Sequence, residues 1–143
     1  MRMAGRGLWV ALLTLAAVAP ARGYPAGRDS LDDYNTAIVL YNQGIVCANH
    51  GELTRALEWF RRARAIAPDD SLRADTERRI GETTGRLRIR QGVALFDAGS
   101  LTAARRKFAA ALECPIDADE KAYARRFIRE IDDLTRGAGA PGR

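Results

Sequence analysis

An all-α fold of two helical hairpins and a terminal helix is what the sequence predicts, and three observations predict it. Apolar residues recur at three- and four-residue spacing, a set of residues repeats 48 positions apart, and glycines and prolines fall where the apolar runs break. β-branched residues are sparse and never alternate with polar ones over the length of a strand. The 143 residues suit one compact domain. With 47% hydrophobic and 29% charged residues the chain has a globular rather than a disordered balance. Only 7% is aromatic, so the core must rest on Ala, Leu, Ile and Val.

Residues 1–21 read as an export signal. Arg2 and Arg6 give a positive start, Leu8 to Val18 is an uncharged apolar run, and Ala19-Pro20-Ala21 supplies small residues before a cleavage site. The run is shorter than the ~20 apolar residues that span a hydrocarbon core. The expected product is periplasmic or secreted and begins at Arg22; an uncleaved interfacial anchor is the alternative. Residues 22–29 hold two glycines and a proline and read as a flexible leader before a helical domain at 30–136. Ser30 and Asp33 have the spacing to cap a first helix over about Leu31 to Asn49, with Tyr34 shielding its core edge.

The repeat comes next. Its first copy runs Gly44-x6-Gly51-x4-Ala56-x3-Phe60-x2-Ala63-x4-Pro68. Its second runs Gly92-x6-Gly99-x4-Ala104-x3-Phe108-x2-Ala111, with Pro115 near its close. Gly44 and Gly92 fall mid-helix, where glycine costs about 1 kcal/mol relative to alanine unless a neighbouring helix needs the space. Gly51 and Gly99 stand where a left-handed residue ends one helix and turns the chain. Ala56, Phe60 and Ala63 share one face of the second helix, and Pro68 stops it.

These residues resemble the tetratricopeptide repeat family. Residues 37–70 fit its 34-residue unit, with Leu40 where the family favours Trp and Cys47 where it favours Tyr. Residues 85–118 form a weaker copy, with Arg88 and Leu95 at those places. The resemblance implies an α-solenoid whose first helices line a concave surface that holds a peptide or partner helix. Carried over by position, that surface includes Ile38, Tyr41, Asn42, Ile45 and Asn49, then Arg86, Ile89, Arg90, Val93 and Asp97. Tyr41, Asn42, Ile45, Arg86, Ile89 and Arg90 form the candidate partner-binding groove. Relatives that grip a terminal carboxylate use an Asn and two basic residues, and Asn42, Arg86 and Arg90 match these. Tyr41 and Ile45 replace the Lys and Asn that complete that grip.

Between the copies lie 14 extra residues, Ser71 to Thr84. Asp69-Asp70-Ser71 can cap a helix, and Leu72, Thr76, Ile80, Thr83 and Leu87 keep the helical spacing, so residues 71–98 are expected as one long helix. Gly81 and Gly85 weaken it, and a break there is the alternative. Asp117 and Glu120 form a capping box for a last helix at 117–136, whose stripe is Ala122, Phe127, Ile128, Ile131 and Leu134. That helix resembles the cap that closes such arrays. Residues 137–143 read as a disordered tail.

The formal charge is +5, and losing Arg2 and Arg6 with the signal leaves +3. All but Lys107 and Lys121 of the 23 basic residues are arginine. Arg73, Arg78, Arg79, Arg86, Arg88 and Arg90 cluster on the long helix, but Asp75, Glu77 and Glu82 interleave them and no aromatics alternate with them, which argues against nucleic acid. An anionic envelope surface is the more plausible electrostatic contact. No nucleophile elbow, phosphate loop or general-base constellation occurs, so no catalytic residue is assigned and the chain is not expected to be an enzyme. No metal or cofactor site is expected: His50 stands alone in a turn, and no Cys or His has zinc-ligand spacing. Export would permit a Cys47–Cys114 disulfide, but both fall at apolar positions of different hairpins and are expected to be free. The resulting expectation is a cell-envelope protein–protein interaction module; the alternative is a small self-assembling subunit of an envelope machine.

Overall fold

The structure is a computed structural model that describes residues 29–138, with side chains described for residues 31–137. Five helices follow one another: α1 (Asp29–Asn49), α2 (Leu53–Ile66), α3 (Asp70–Asp97), α4 (Leu101–Leu112) and α5 (Ala118–Ala138). No strand occurs among the described residues. Each helix packs mainly on its neighbours in the chain, α1 on α2, α2 on α3, α3 on α4 and α4 on α5. That is the layout of an all-α, tetratricopeptide-like solenoid of two hairpins and a terminal helix. The signal at 1–21, the leader up to residue 28 and the tail from residue 139 lie outside the described residues. Within them, α1 already begins at Asp29, so Ser30 is inside the helix rather than before it. At the other end α5 runs on through Gly137 to Ala138.

The repeated glycines do what their spacing implies. A Cβ on Gly44 would stand 2.6 Å from the Phe60 ring, and one on Gly92 would stand 3.0 Å from the Phe108 ring. Each ring therefore lies on the bare backbone of the first helix of its hairpin. Phe60 and Phe108 are 1% and 0% exposed, and Ala56, Ala63, Ala104 and Ala111 beside them are fully buried. Gly51 and Gly99 adopt φ of 75° and 74°, the left-handed turn that joins the helices of each hairpin. Both cysteines are free thiols buried in separate clusters, Cys47 beside Phe60 and Cys114 beside Ile116. His50 lies exposed in the first turn.

α3 is one uninterrupted helix of 28 residues. The Asp69 side chain accepts the Leu72 amide at 2.7 Å and caps its start. Leu72, Thr76 and Thr83 are buried, and the Thr76 hydroxyl donates to the Leu72 carbonyl at 2.7 Å. Its first half packs against α2 and its second half seats Phe108 of α4, so a single helix serves both hairpins. Gly81 and Gly85 do not break it. They form the seat for the segment that follows α4: a Cβ on Gly81 would meet the Pro115 ring at 2.6 Å, and one on Gly85 would meet Ile116 Cγ2 at 2.3 Å and Cys114 Cβ at 2.9 Å.

The capping box at the start of α5 is formed, with the Glu120 amide donating to Asp117 Oδ1 at 2.7 Å and the Asp117 amide to Glu120 Oε2 at 3.2 Å. The buried stripe of α5 differs from the expected one. It consists of Ala124, Phe127, Ile128 and Ile131, packed on Ala104 and Phe108. Ala122 is exposed because it lies two residues, about 200°, around the helix from Ala124. Leu134 sits at the margin of the stripe in the last turns and is 50% exposed. Phe127 gathers an aromatic cluster, stacked on Phe108 with centroids 4.9 Å apart and edge-on to Phe96 at 5.2 Å. Arg105 of α4 ties to Asp132 of α5 at 2.7 Å, a hydrogen bond that holds the Asp132 carboxyl below the usual carboxylate range.

Three outcomes are expected. Phe60→Ala and Phe108→Ala should each cost about 3–5 kcal/mol in chemical denaturation, with an unchanged midpoint for either refuting the ring-on-glycine packing of that hairpin. Helix propensity alone says that Gly85→Ala gains about 1 kcal/mol. Steric conflict with the buried Ile116 should reverse that sign, and a stabilised variant would show that this seat is not tight. Finally, a carboxylate whose folded pKa is lowered contributes stability above its ordinary pKa of about 4, and that contribution is lost as pH falls through the folded value. Asp132→Asn should therefore lower the melting temperature at neutral pH by a small amount that vanishes in acid; a difference independent of pH would exclude the ion pair as its cause.

Candidate functional site

An open groove of about 510 Å³ lies between the second half of α3 and the start of α5. Ile89, Val93 and Tyr123 give it apolar walls; Arg86 and Arg90 stand on the α3 side, Asp119 and Glu120 on the α5 side. The side chains of Arg86 and Arg90 share a face because they are four residues apart on one helix, and Ile89 lies between them. Tyr123 is 43% exposed and packs its ring on Phe127, 4.9 Å between centroids, so the groove wall continues into the aromatic cluster beneath.

Both arginines of the groove are engaged. Arg86 Nε donates to Glu120 Oε1 at 2.6 Å across the groove, while the other oxygen of the same carboxylate accepts the Asp117 amide. Glu120 thus caps α5 and fastens it to α3 at once. Arg90 reaches back to the turn of the first hairpin and donates to the Gly51 carbonyl at 2.7 Å. The Arg86–Glu120 pair is partly exposed, and such pairs contribute up to about 1 kcal/mol, so a competing carboxylate can exchange into it.

The expected groove residues do not share this cavity. Arg86, Ile89 and Arg90 line it together with Val93. Tyr41 lines a different hollow with Tyr34, Ile38, Asp69, Ser71, Leu72 and Asp75, between α1 and the start of α3. Tyr41 and Ile45 are half-buried in the Phe60 cluster, with Ile80 of α3 packed against it. The Tyr41 ring tilts on Phe60 at 5.7 Å, and its hydroxyl accepts from Arg79 Nε at 3.3 Å, which holds the Arg79 guanidinium above its ordinary pKa. The extra length of α3 brings Arg79 onto Tyr41 and adds Ile80 to the same cluster. Asn42 and Asn49 are exposed on α1. Asp119, Glu120 and Tyr123 were not among the expected residues. Their only signal in the sequence is that a terminal helix takes the place of the next repeat's first helix and so must line the same side.

The arginines of α3 are committed to protein partners one by one. Arg73 bonds Asp70 and the Ala67 carbonyl, Arg78 bonds Asp75 and Glu82, and Arg79 bonds Glu82 and Tyr41. The half-buried Arg88 reaches the Ala110 carbonyl at 2.8 Å and Cys114 Sγ at 3.2 Å, near the carboxyl end of α4 where a cation is favoured. Arg86 is likewise paired with Glu120, whereas Arg88 and Arg90 bond uncharged groups and keep their charge, so the row is neutralised at four of its six positions. Among the described residues no group of His, Cys, Asp or Glu could hold a metal ion, and no helix is long and apolar enough to cross a membrane.

Residues 31–70, which span α1, α2 and the start of α3, match the family model described as tetratricopeptide repeat. The match covers 40 of the 143 residues and shows one such repeat; repeats of this family generally mediate protein–protein interactions. No curated protein and no solved structure gives a significant match.

Tyr41→Phe should remove the bond from Arg79 while keeping the ring on Phe60. A loss of no more than about 1 kcal/mol is expected, against several for Tyr41→Ala, in urea unfolding. Equal losses would mean that the hydroxyl, not the ring, holds α1 to α3.

Proposed function

We propose that the chain is an exported adaptor of the cell envelope that holds a short segment of a partner protein in the groove between α3 and α5. The observation that carries the reading is the make-up of that groove: apolar walls at Ile89, Val93 and Tyr123 between two arginines and two carboxylates. An apolar side chain of the partner anchors between Ile89 and Tyr123. An acidic side chain or terminal carboxylate beside it displaces Glu120 from Arg86. Tyr and Arg are the types most often found as interface hot spots. Export rests on the positive start, the short apolar run and the Ala19-Pro20-Ala21 site, and amino-terminal sequencing of the secreted product should begin at Arg22.

Binding to the captured partner, measured by calorimetry, should weaken with salt. Arg86→Ala with Arg90→Ala should reduce affinity by about 30-fold and remove most of that salt dependence. Arg61→Ala with Arg62→Ala on the exposed side of α2 should leave affinity nearly unchanged. Equal losses from both pairs would mean that only diffuse charge is read, and the groove would not be the site.

A further inference from the structure

α1 is unlike every other helix of the molecule in its surface. From Tyr34 to His50 the sequence contains no Asp, Glu, Lys or Arg. Asp29, Asp32 and Asp33 of α1 stand before this run, and within α2 to α5 no uncharged stretch is longer than the six residues from Gln91 to Phe96. One face of α1 is buried, through Ala37, Gly44 and Cys47, but the opposite one is open. Asn35, Val39, Asn42, Val46 and Asn49 form a stripe there, within an arc of about 80° at 100° per residue. All five are exposed, the two valines by 59% and 49%. Depletion of charge on an exposed helix is the compositional mark of an interface centre.

The second copy does not share this face. At the matching residues 48 positions on, Thr83 is buried and Leu87 half-buried, while Arg90, Ala94 and Asp97 are exposed and two of these three are charged. The uncharged exposed stripe is therefore particular to α1, and nothing described packs on it.

We infer that α1 pairs with α1 of a second copy of the chain, antiparallel, about a two-fold axis near Asn42. The stripe reads Asn–Val–Asn–Val–Asn from either end, with the two valines on opposite sides of Asn42. A two-fold interface requires such a self-complementary face. Two copies of a chain of formal charge +5, or +3 once residues 1–21 are removed, repel one another, and the uncharged face is where they approach at least cost. Asparagines in such a seam fix register at some expense of stability, so the pair is a weak one that forms in the micromolar range.

The test is sedimentation velocity on the full chain from about 1 μM to a few hundred μM, with two sets of variants. The wild type is expected to pass from monomer to dimer. Val39→Arg with Val46→Arg should weaken the dimer by at least about 30-fold while leaving the circular dichroism spectrum and the melting temperature unchanged, since both sites are exposed. Under mild oxidation Asn42→Cys should give a covalent dimer. Asn35→Cys should not, because two such residues, each seven positions from the axis, lie about 21 Å apart. A wild type that stays monomeric throughout, or a dimer indifferent to the arginine pair, overturns the inference. So does cross-linking of both cysteine variants alike, which means parallel pairing. A monomer whose melting temperature falls in the arginine pair overturns it too, and means that the face is covered by residues preceding Asp29.

Discussion

Each hairpin is organised by one aromatic ring laid on one glycine. Phe60 rests on Gly44, where a Cβ would collide with the ring, and Phe108 rests on Gly92, where a Cβ would press tightly on it. The close approach that this permits brings the alanines of the second helices, Ala56, Ala63, Ala104 and Ala111, into full burial. Small residues alone would leave the interior thin, and the ring restores the volume they lack. The turn glycines at 51 and 99 keep the two helices antiparallel, so that ring and glycine stand opposite each other.

α3 extends the same device to a third level. Its first half completes the first hairpin, its second half begins the next, and its middle takes Pro115, Cys114 and Ile116 against Gly81 and Gly85. The helix carries three glycines of different use, Gly81, Gly85 and Gly92, without breaking, because packing from α2, α4 and the segment after α4 offsets their poor helical propensity. The groove is a product of this sharing. It opens where α3 has passed the first hairpin and α5 has come in to cover the second.

Much of this was legible in the sequence, and for a physical reason. Ring, glycine, cap and turn are local or lie within one hairpin, so spacing alone marked Gly44 as a close-approach position, Phe60 as part of a shared face, Asp69 as the start of α3, and Asp117 with Glu120 as a capping box. What was not legible depends on contacts across the chain. Gly81 and Gly85 looked like weaknesses because their partners, residues 114–116, lie about thirty positions away. Tyr41 and Ile45 resembled groove residues of a regular array, whereas the extended α3 brings Arg79 onto Tyr41 and adds Ile80 to the cluster in which both sit. The α5 wall of the groove, Glu120 and Tyr123, follows only from where the terminal helix docks. On α5, Leu134 lies at the margin of the buried stripe, whose width depends on the facing helix, whereas Ala122 lies on the opposite side of the helix from Ala124.

The length of α3 has a consequence for how such a chain can change. The 14 residues by which the two copies exceed a regular spacing amount to about 3.9 helical turns and about 21 Å of travel. The added segment therefore moves the second hairpin along the axis while leaving it facing almost the same way. A change of one or two residues would instead swing the seat of Phe108 by about 100° or 200° and turn α4 away from its place. Lengthening or shortening of this helix is then a matter of phase. Steps near whole turns slide one hairpin past the other like beads on a rod, and intermediate steps unseat it.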